Sequence, residues 1–163
     1  MIMNRVTNVI VILLLSMTFF SCLARKTKVG DRIQLPSMMP IVEGGKLDAE
    51  TALPGGQKIM IYIDSTRCGS CQILRLRGIR DKMKNREEPI FVVLDAPQIE
   101  IQSLLHMIYA TNLDIPIYFD LGHFIARMNE GITKWTGYSG VFLLDEENII
   151  VQIGEEKILE TKL

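Results

Sequence analysis

Cys68-Gly69-Ser70-Cys71 stands at the junction of two patterned segments, and that junction constrains the chain more than any other feature. Before it, Ile59-Met60-Ile61-Tyr62-Ile63 is a short apolar, β-branched run, the pattern of a strand buried on both faces. After it, Ile73, Leu76, Ile79 and Met83 recur at three- and four-residue spacing, which predicts the core stripe of a helix reaching about Asn85. A strand that enters a helix through a CxxC places two thiols at the helix N-terminus. There they can close a ring with little backbone movement, and the unpaired N–H groups and the helix dipole favour a thiolate.

The same alternation continues downstream. Pro89 ends the helical pattern, and Ile90-Phe91-Val92-Val93-Leu94 predicts a second buried strand. Ile101, Leu104, Leu105 and Ile108 mark a second amphipathic helix. Ile117-Tyr118-Phe119 makes a short third strand after Pro116, followed by a short helix around Phe124, Ile125 and Met128. The segments 141–144 and 149–153 read as two strands joined by the polar turn Asp145-Glu146-Glu147-Asn148, with a last helical turn or a tail from Glu155. The fold class is therefore α/β, a central mixed β-sheet flanked by helices with a C-terminal β-hairpin. Asp31 to Gly56, with three prolines and four glycines, reads as irregular with room for one small hairpin.

Cys68 would project from the strand-to-helix loop beside the positive charge of Arg67, and Cys71 would lie one turn in and less exposed. That arrangement suits a nucleophile and a resolving thiol. Two other uses of the pair remain open. A static disulfide at this spacing closes almost no chain and constrains the unfolded state little. A zinc site would need four ligands, and the two histidines, His106 and His123, have no partner at ligand spacing. No metal and no cofactor is expected.

The third cysteine belongs to a different signal. Asn4 and Arg5 precede an apolar stretch from Val9 to Phe20, too short to span a bilayer comfortably but suited to the h-region of an export signal. Phe19-Phe20-Ser21-Cys22 resembles the lipobox of bacterial lipoproteins in the aromatic-rich form seen among Bacteroidetes, although Leu is commoner where Phe19 stands. The resemblance implies a signal peptide over 1–21 and a lipid on Cys22. It also implies a cell-envelope location, with the basic residues after Cys22 favouring a periplasm-facing membrane, where a dithiol can be held as a disulfide. An uncleaved anchor in which Cys22 is incidental would also place the rest of the chain outside the cytoplasm. Residues 22–30 then read as a tether and 31–163 as one domain, of ordinary size. The chain has 18 Lys and Arg against 19 Asp and Glu, and only Arg5 lies before Cys22, so the mature net charge is −2. A balance so near neutral gives no reason to expect nucleic acid as a partner.

The order strand, CxxC, helix, strand, helix, strand, helix, hairpin resembles the thioredoxin-like superfamily over a core of 57–154, and within it the extracytoplasmic TlpA/redoxin type. Ile115-Pro116-Ile117-Tyr118-Phe119-Asp120-Leu121-Gly122 and the hairpin from Phe142 to Ile150 support the resemblance. It implies a redox-active disulfide between Cys68 and Cys71 and exchange with envelope proteins that carry thiols or disulfides. A recycling reductant or oxidant would reset the pair. Three positions depart from the family: Arg67 stands where Trp is usual, Ser70 where Pro is frequent, and Ser139 where a cis-proline faces the CxxC. Trp135, Tyr138, Ser139 and Arg67 are the candidate groove residues. The missing proline leaves an alternative open: a thioredoxin-fold binding lipoprotein without exchange activity.

Three further features of the sequence each admit two readings. Ser65-Thr66-Arg67-Cys68 resembles the peroxiredoxin motif in placing a hydroxyl three residues before the cysteine, but Ile61 stands where that family has proline. Asp64 reads as a cap ahead of a proton-transfer group. Arg75, Arg77, Arg80, Lys82, Lys84 and Arg86 make the first helix basic, which reads as a solvated face ahead of a docking surface.

Overall fold

β3 (Lys58–Asp64) is the strand from which the architecture is built. The computed structural model describes residues 27–134 and 140–160. The expected signal peptide, Cys22 and the groove candidates Trp135, Tyr138 and Ser139 lie outside the described residues. β3 pairs in parallel with β4 (Ile90–Asp95), which pairs in parallel with β5 (Ile117–Asp120). On its other side β3 pairs antiparallel with β6 (Gly140–Leu144), which forms a hairpin with β7 (Ile150–Ile153). With β1 (Met38–Glu43) and β2 (Lys46–Ala52), the seven strands form one mixed sheet in the order β2-β1-β5-β4-β3-β6-β7.

Period two in the central strands distributes the core over both faces. Ile59, Ile61 and Ile63 pack against α1 (Gly69–Met83) and α2 (Ile101–Thr111). Ile158 of α4 (Glu155–Glu160) joins that cluster. Met60 and Tyr62 face the opposite cluster with Phe91, Val93, Tyr118, Phe142 and Ile125 of α3 (Phe124–Met128). The predicted stripe of α1 is the buried one: Ile73, Leu76, Ile79 and Met83 are all essentially inaccessible. Burying each such side chain contributes roughly 1.5–3 kcal/mol, which is why α1 stays fixed under the sheet although its outer face is charged.

The segment read as irregular with room for one small hairpin holds that hairpin. β1 and β2 form a hairpin with Glu43 opposite Lys46, so the loop is the two residues Gly44-Gly45, both at positive φ (57° and 76°). Such a loop needs both residues in that region, which glycine enters without steric cost. β1 joins the sheet beside β5 through Ile41 and Tyr118. The last four residues of the expected tether also rest on the domain: Thr27 Oγ1 donates to the Glu130 carbonyl at 3.4 Å and Gly30 N to that of Ile150 at 2.9 Å.

Candidate redox site

Parallel strands point their C-terminal ends the same way, and connections at that edge are where open α/β sheets place their sites. β3 ends there at Asp64 and passes through a single 3₁₀ turn, Ser65–Arg67, into Cys68 and then α1. Asp64 is a cap: its carboxylate accepts from the Thr66 amide at 3.1 Å and from the Thr66 hydroxyl. Cys68 takes a left-handed conformation (φ 77°, ψ 67°), which reverses the chain between the two helices. For a residue with a Cβ that conformation costs on the order of 1–2 kcal/mol, and the flanking structure maintains it. Gln72, the residue after Cys71, is buried and donates its side-chain N–H to the Asp64 carbonyl at 3.0 Å, while its backbone N–H bonds the Cys68 carbonyl at 3.3 Å. Gln72 thus fastens the start of α1 to the end of β3 across the cysteine loop.

Cys68 and Cys71 form a disulfide, with their Cα atoms 5.5 Å apart. Both residues are exposed. The inward stripe of α1 starts with Gly69, Gln72 and Ile73, and position 71 falls to its side. No acidic residue lies in the first turn of α1 to oppose a thiolate. The Ser70 hydroxyl lies 3.7 Å from Cys68 Sγ, within reach of a sulfur hydrogen bond. Arg67 closes the 3₁₀ turn next to Cys68 in the chain. Ser65, the hydroxyl three residues before Cys68, is buried, and its Oγ has no hydrogen-bond partner among the described residues.

The rest of this edge is acidic in a way the sequence displays once the register is known. Ile61-Tyr62-Ile63-Asp64, Val92-Val93-Leu94-Asp95 and Ile117-Tyr118-Phe119-Asp120 each close a parallel strand with aspartate, and the three aspartates stand side by side, Asp64 beside Asp95 and Asp95 beside Asp120. Asp120 is buried and satisfied, accepting from the Phe124 and Ile125 amides at 2.7 Å each at the start of α3. Asp95 is buried between two side chains from other elements. The Tyr62 hydroxyl donates to its Oδ2 at 2.6 Å, and the His123 ring meets its Oδ1 through Nδ1. Burial pushes the Asp95 carboxyl above the usual carboxylate range, partly offset by its bonds to Tyr62 and His123. Burial, reinforced by the Asp95 charge, raises the Tyr62 phenol as well. His123, which has no partner at ligand spacing in the sequence, directly precedes α3, and its ring belongs to this array.

The basic face of α1 is paired in large part. Glu155 of α4 holds Lys82 at 2.6 Å and Arg75 at 3.3 Å, and Arg80 lies 3.4 Å from both Asp81 and Asp114. Among the described residues, no group of three His, Cys, Asp or Glu side chains is arranged to hold a metal ion. Also among them, no helix is long and apolar enough to cross a membrane.

No protein-family model matches the sequence, and no curated protein does. Solved structures do match. A domain from Cytophaga hutchinsonii described as that of a possible thiol-disulfide isomerase superposes with a TM-score of 0.57 at 17% identity, over 82% of this chain and 89% of that one. StoA from Bacillus subtilis gives a TM-score of 0.50 at 18% identity, over 76% and 92%. Thiol peroxidase from Chromobacterium violaceum gives 0.51 at 18% identity, over 80% and 78%. At these identities the likeness concerns the backbone, and with the strand–CxxC–helix junction it establishes that the chain has the thioredoxin-like fold.

Proposed function

We propose that this protein is a thiol–disulfide oxidoreductase of the cell envelope, held to a membrane by lipid on Cys22, with Cys68 as nucleophile and Cys71 as resolving thiol. The observation that carries the reading is the exposed Cys68–Cys71 disulfide at the N-terminus of α1. In the reduced protein, the Cys68 thiolate attacks one sulfur of a partner disulfide and displaces the other as a thiolate. The resulting mixed disulfide is attacked at Cys68 Sγ by the Cys71 thiolate, which releases the second partner thiol and leaves the pair oxidised. Two electrons and two protons pass to the partner, and the reverse sequence oxidises a dithiol. Exposed Leu74, one helical turn beyond Cys71 and on the same side, offers an apolar contact to a docked partner.

Substitution Cys71→Ala in the full chain tests this, because it removes the thiol that resolves the mixed disulfide. The variant should accumulate disulfide-linked adducts with envelope proteins through Cys68, and Cys68→Ala should not. Absence of adducts under both oxidising and reducing conditions would sink the exchange reading in favour of a binding module.

A further inference from the structure

We infer that the tether meets the domain at the end opposite the CxxC and is too short to let that end reach the bilayer. Cys68 and Cys71 then serve partners that are soluble or that project from the membrane, and not thiols or disulfides lying in its surface. The inference rests on the proposed function, lipid on Cys22 included, and names the partner class that the same site can meet.

Backbone contacts fix where the tether joins the fold. The Ile33 amide donates to the Asn148 carbonyl at 2.8 Å, the Ile150 amide to that of Asp31 at 2.9 Å, and the Gly30 amide to that of Ile150 at 2.9 Å. Ile150 opens β7 and is in register with Leu144, which is in register with Lys58, the first residue of β3. The N-terminal segment is therefore stitched to the sheet where β3 begins, whereas the CxxC follows the point where β3 ends. Ile33 belongs to the cluster on the face opposite α1. Before Gly30 the chain folds back: the Asp31 amide donates to the Lys28 carbonyl at 3.1 Å, with Gly30 at φ 88°. Thr27 is then buried against Glu130, and Thr27 and Met128 line one shallow pocket. Val29 and Met128 are the exposed apolar side chains at this exit.

Two lengths decide the posture. From Lys58 to Asp64 β3 advances six residues, about 20 Å at the rise of a strand, which separates the level of the tether contacts from that of the CxxC. Cys22 and Thr27 are five residues apart, a span of at most about 18 Å when fully straightened and about 12 Å as a flexible coil. Laying the CxxC edge on the bilayer would require the tether to run straight along the side of the domain, and it would still fall short. With the CxxC edge pointing outward the tether needs no stretching. Arg25, Lys26 and Lys28 add an attraction of the exit itself to anionic headgroups.

The test offers the reduced, full-length lipoprotein one reactive group in two places. The protein is reconstituted in vesicles of phosphatidylethanolamine and phosphatidylglycerol. The probes are a soluble pyridyl disulfide and the same group carried on a phosphatidylethanolamine headgroup of those vesicles. Attack by the Cys68 thiolate releases pyridine-2-thione from either probe, and Cys71 then closes on Cys68 and frees the remaining thiol. Inserting about sixteen Gly and Ser residues between Lys26 and Thr27 lengthens the coil to about 25 Å. That insertion should raise the rate with the lipid-borne probe about tenfold or more and leave the rate with the soluble probe unchanged. A native tether that serves the lipid-borne probe as fast as the lengthened one would overturn the inference. A chain that does not float with the vesicles would overturn it through the anchoring itself. A chain that reacts with neither probe would refute the exchange reading, and the posture is then read from a fluorophore on Cys68 of the Cys71→Ala variant. Nitroxides on the lipid headgroups should leave that fluorophore bright and quench one at Val29→Cys in a chain that also carries Cys68→Ala and Cys71→Ala; equal quenching at both positions would overturn the inference.

Discussion

The side chain of Gln72 holds the carbonyl of Asp64 at 3.0 Å, so the residue that follows the second cysteine is tied to the residue that ends the strand before the first. Gln72→Leu would keep the volume and remove the donor. Leaving a partly buried carbonyl without this bond should cost about 1–3 kcal/mol. Urea unfolding of the oxidised protein measures it, and a variant as stable as the parent would show that the clamp contributes nothing.

Ser70 predicts a redox effect of its own. Its hydroxyl is placed to donate to the Cys68 sulfur, and such a bond is stronger to a thiolate than to a disulfide. Ser70→Ala should make the couple more reducing and slow Cys68 alkylation at neutral pH, by roughly two- to tenfold in the thiolate equilibrium, the worth of one hydrogen bond of about 0.5–1.5 kcal/mol. Equilibration with a glutathione or dithiothreitol buffer reads the first, and a potential that moves the other way would contradict the geometry.

Tyr62→Phe removes the phenol from a buried carboxylate and leaves Asp95 Oδ2 without that donor. The expected loss is about 1.5–3 kcal/mol, measured by chemical denaturation near neutral pH. The loss should shrink in acid, where a protonated Asp95 has less need of a donor.

Asp95 also carries a signed pH dependence. Its folded-state proton affinity is raised by burial, so its contribution to stability is fully present below the unfolded value near 4 and declines as the pH climbs through the folded one. Asp95→Asn keeps an acceptor for Tyr62 and cannot ionise. Relative to the parent, the variant should therefore gain stability as the pH is raised from about 4 toward 7. Denaturation curves at a series of pH values show it, and a stability difference independent of pH would contradict the burial argument.

Gly140 opens β6 where a Cβ would stand 2.5 Å from Cε2 of the fully buried Phe142 ring. Gly140→Ala should therefore force that ring off its packing and cost about 1–3 kcal/mol. Thermal unfolding would register it as a lowered Tm.

What could be read from sequence follows how local each signal is. The strand 59–63 and the stripe from Ile73 to Met83 were legible because burial on a regular period is written in consecutive residues, and the CxxC between them inherits its position from both. β2 was not, because Lys46-Leu47-Asp48-Ala49-Glu50-Thr51-Ala52 is almost wholly exposed and has no apolar alternation; its turn and its pairing hold it in place. The Tyr62–Asp95–His123 array was hidden for a different reason. Its members lie on three elements, 33 and 28 residues apart around Asp95, and only the register of β3 with β4 brings the first two together. The trace it leaves in the sequence is the aspartate that ends each of three strands, a pattern without meaning until those strands are known to be neighbours.

The exposed outer strand has a consequence for how the molecule behaves in company. β2 ends the sheet, and an outermost strand is a template on which a strand from another copy could stack. Lys46, Asp48 and Glu50 alternate along it, so any extended segment that approached in register would have to strip water from three charges. The rim of the sheet is thus guarded by hydration, and crowding many copies together should not zip them into a continuous ribbon.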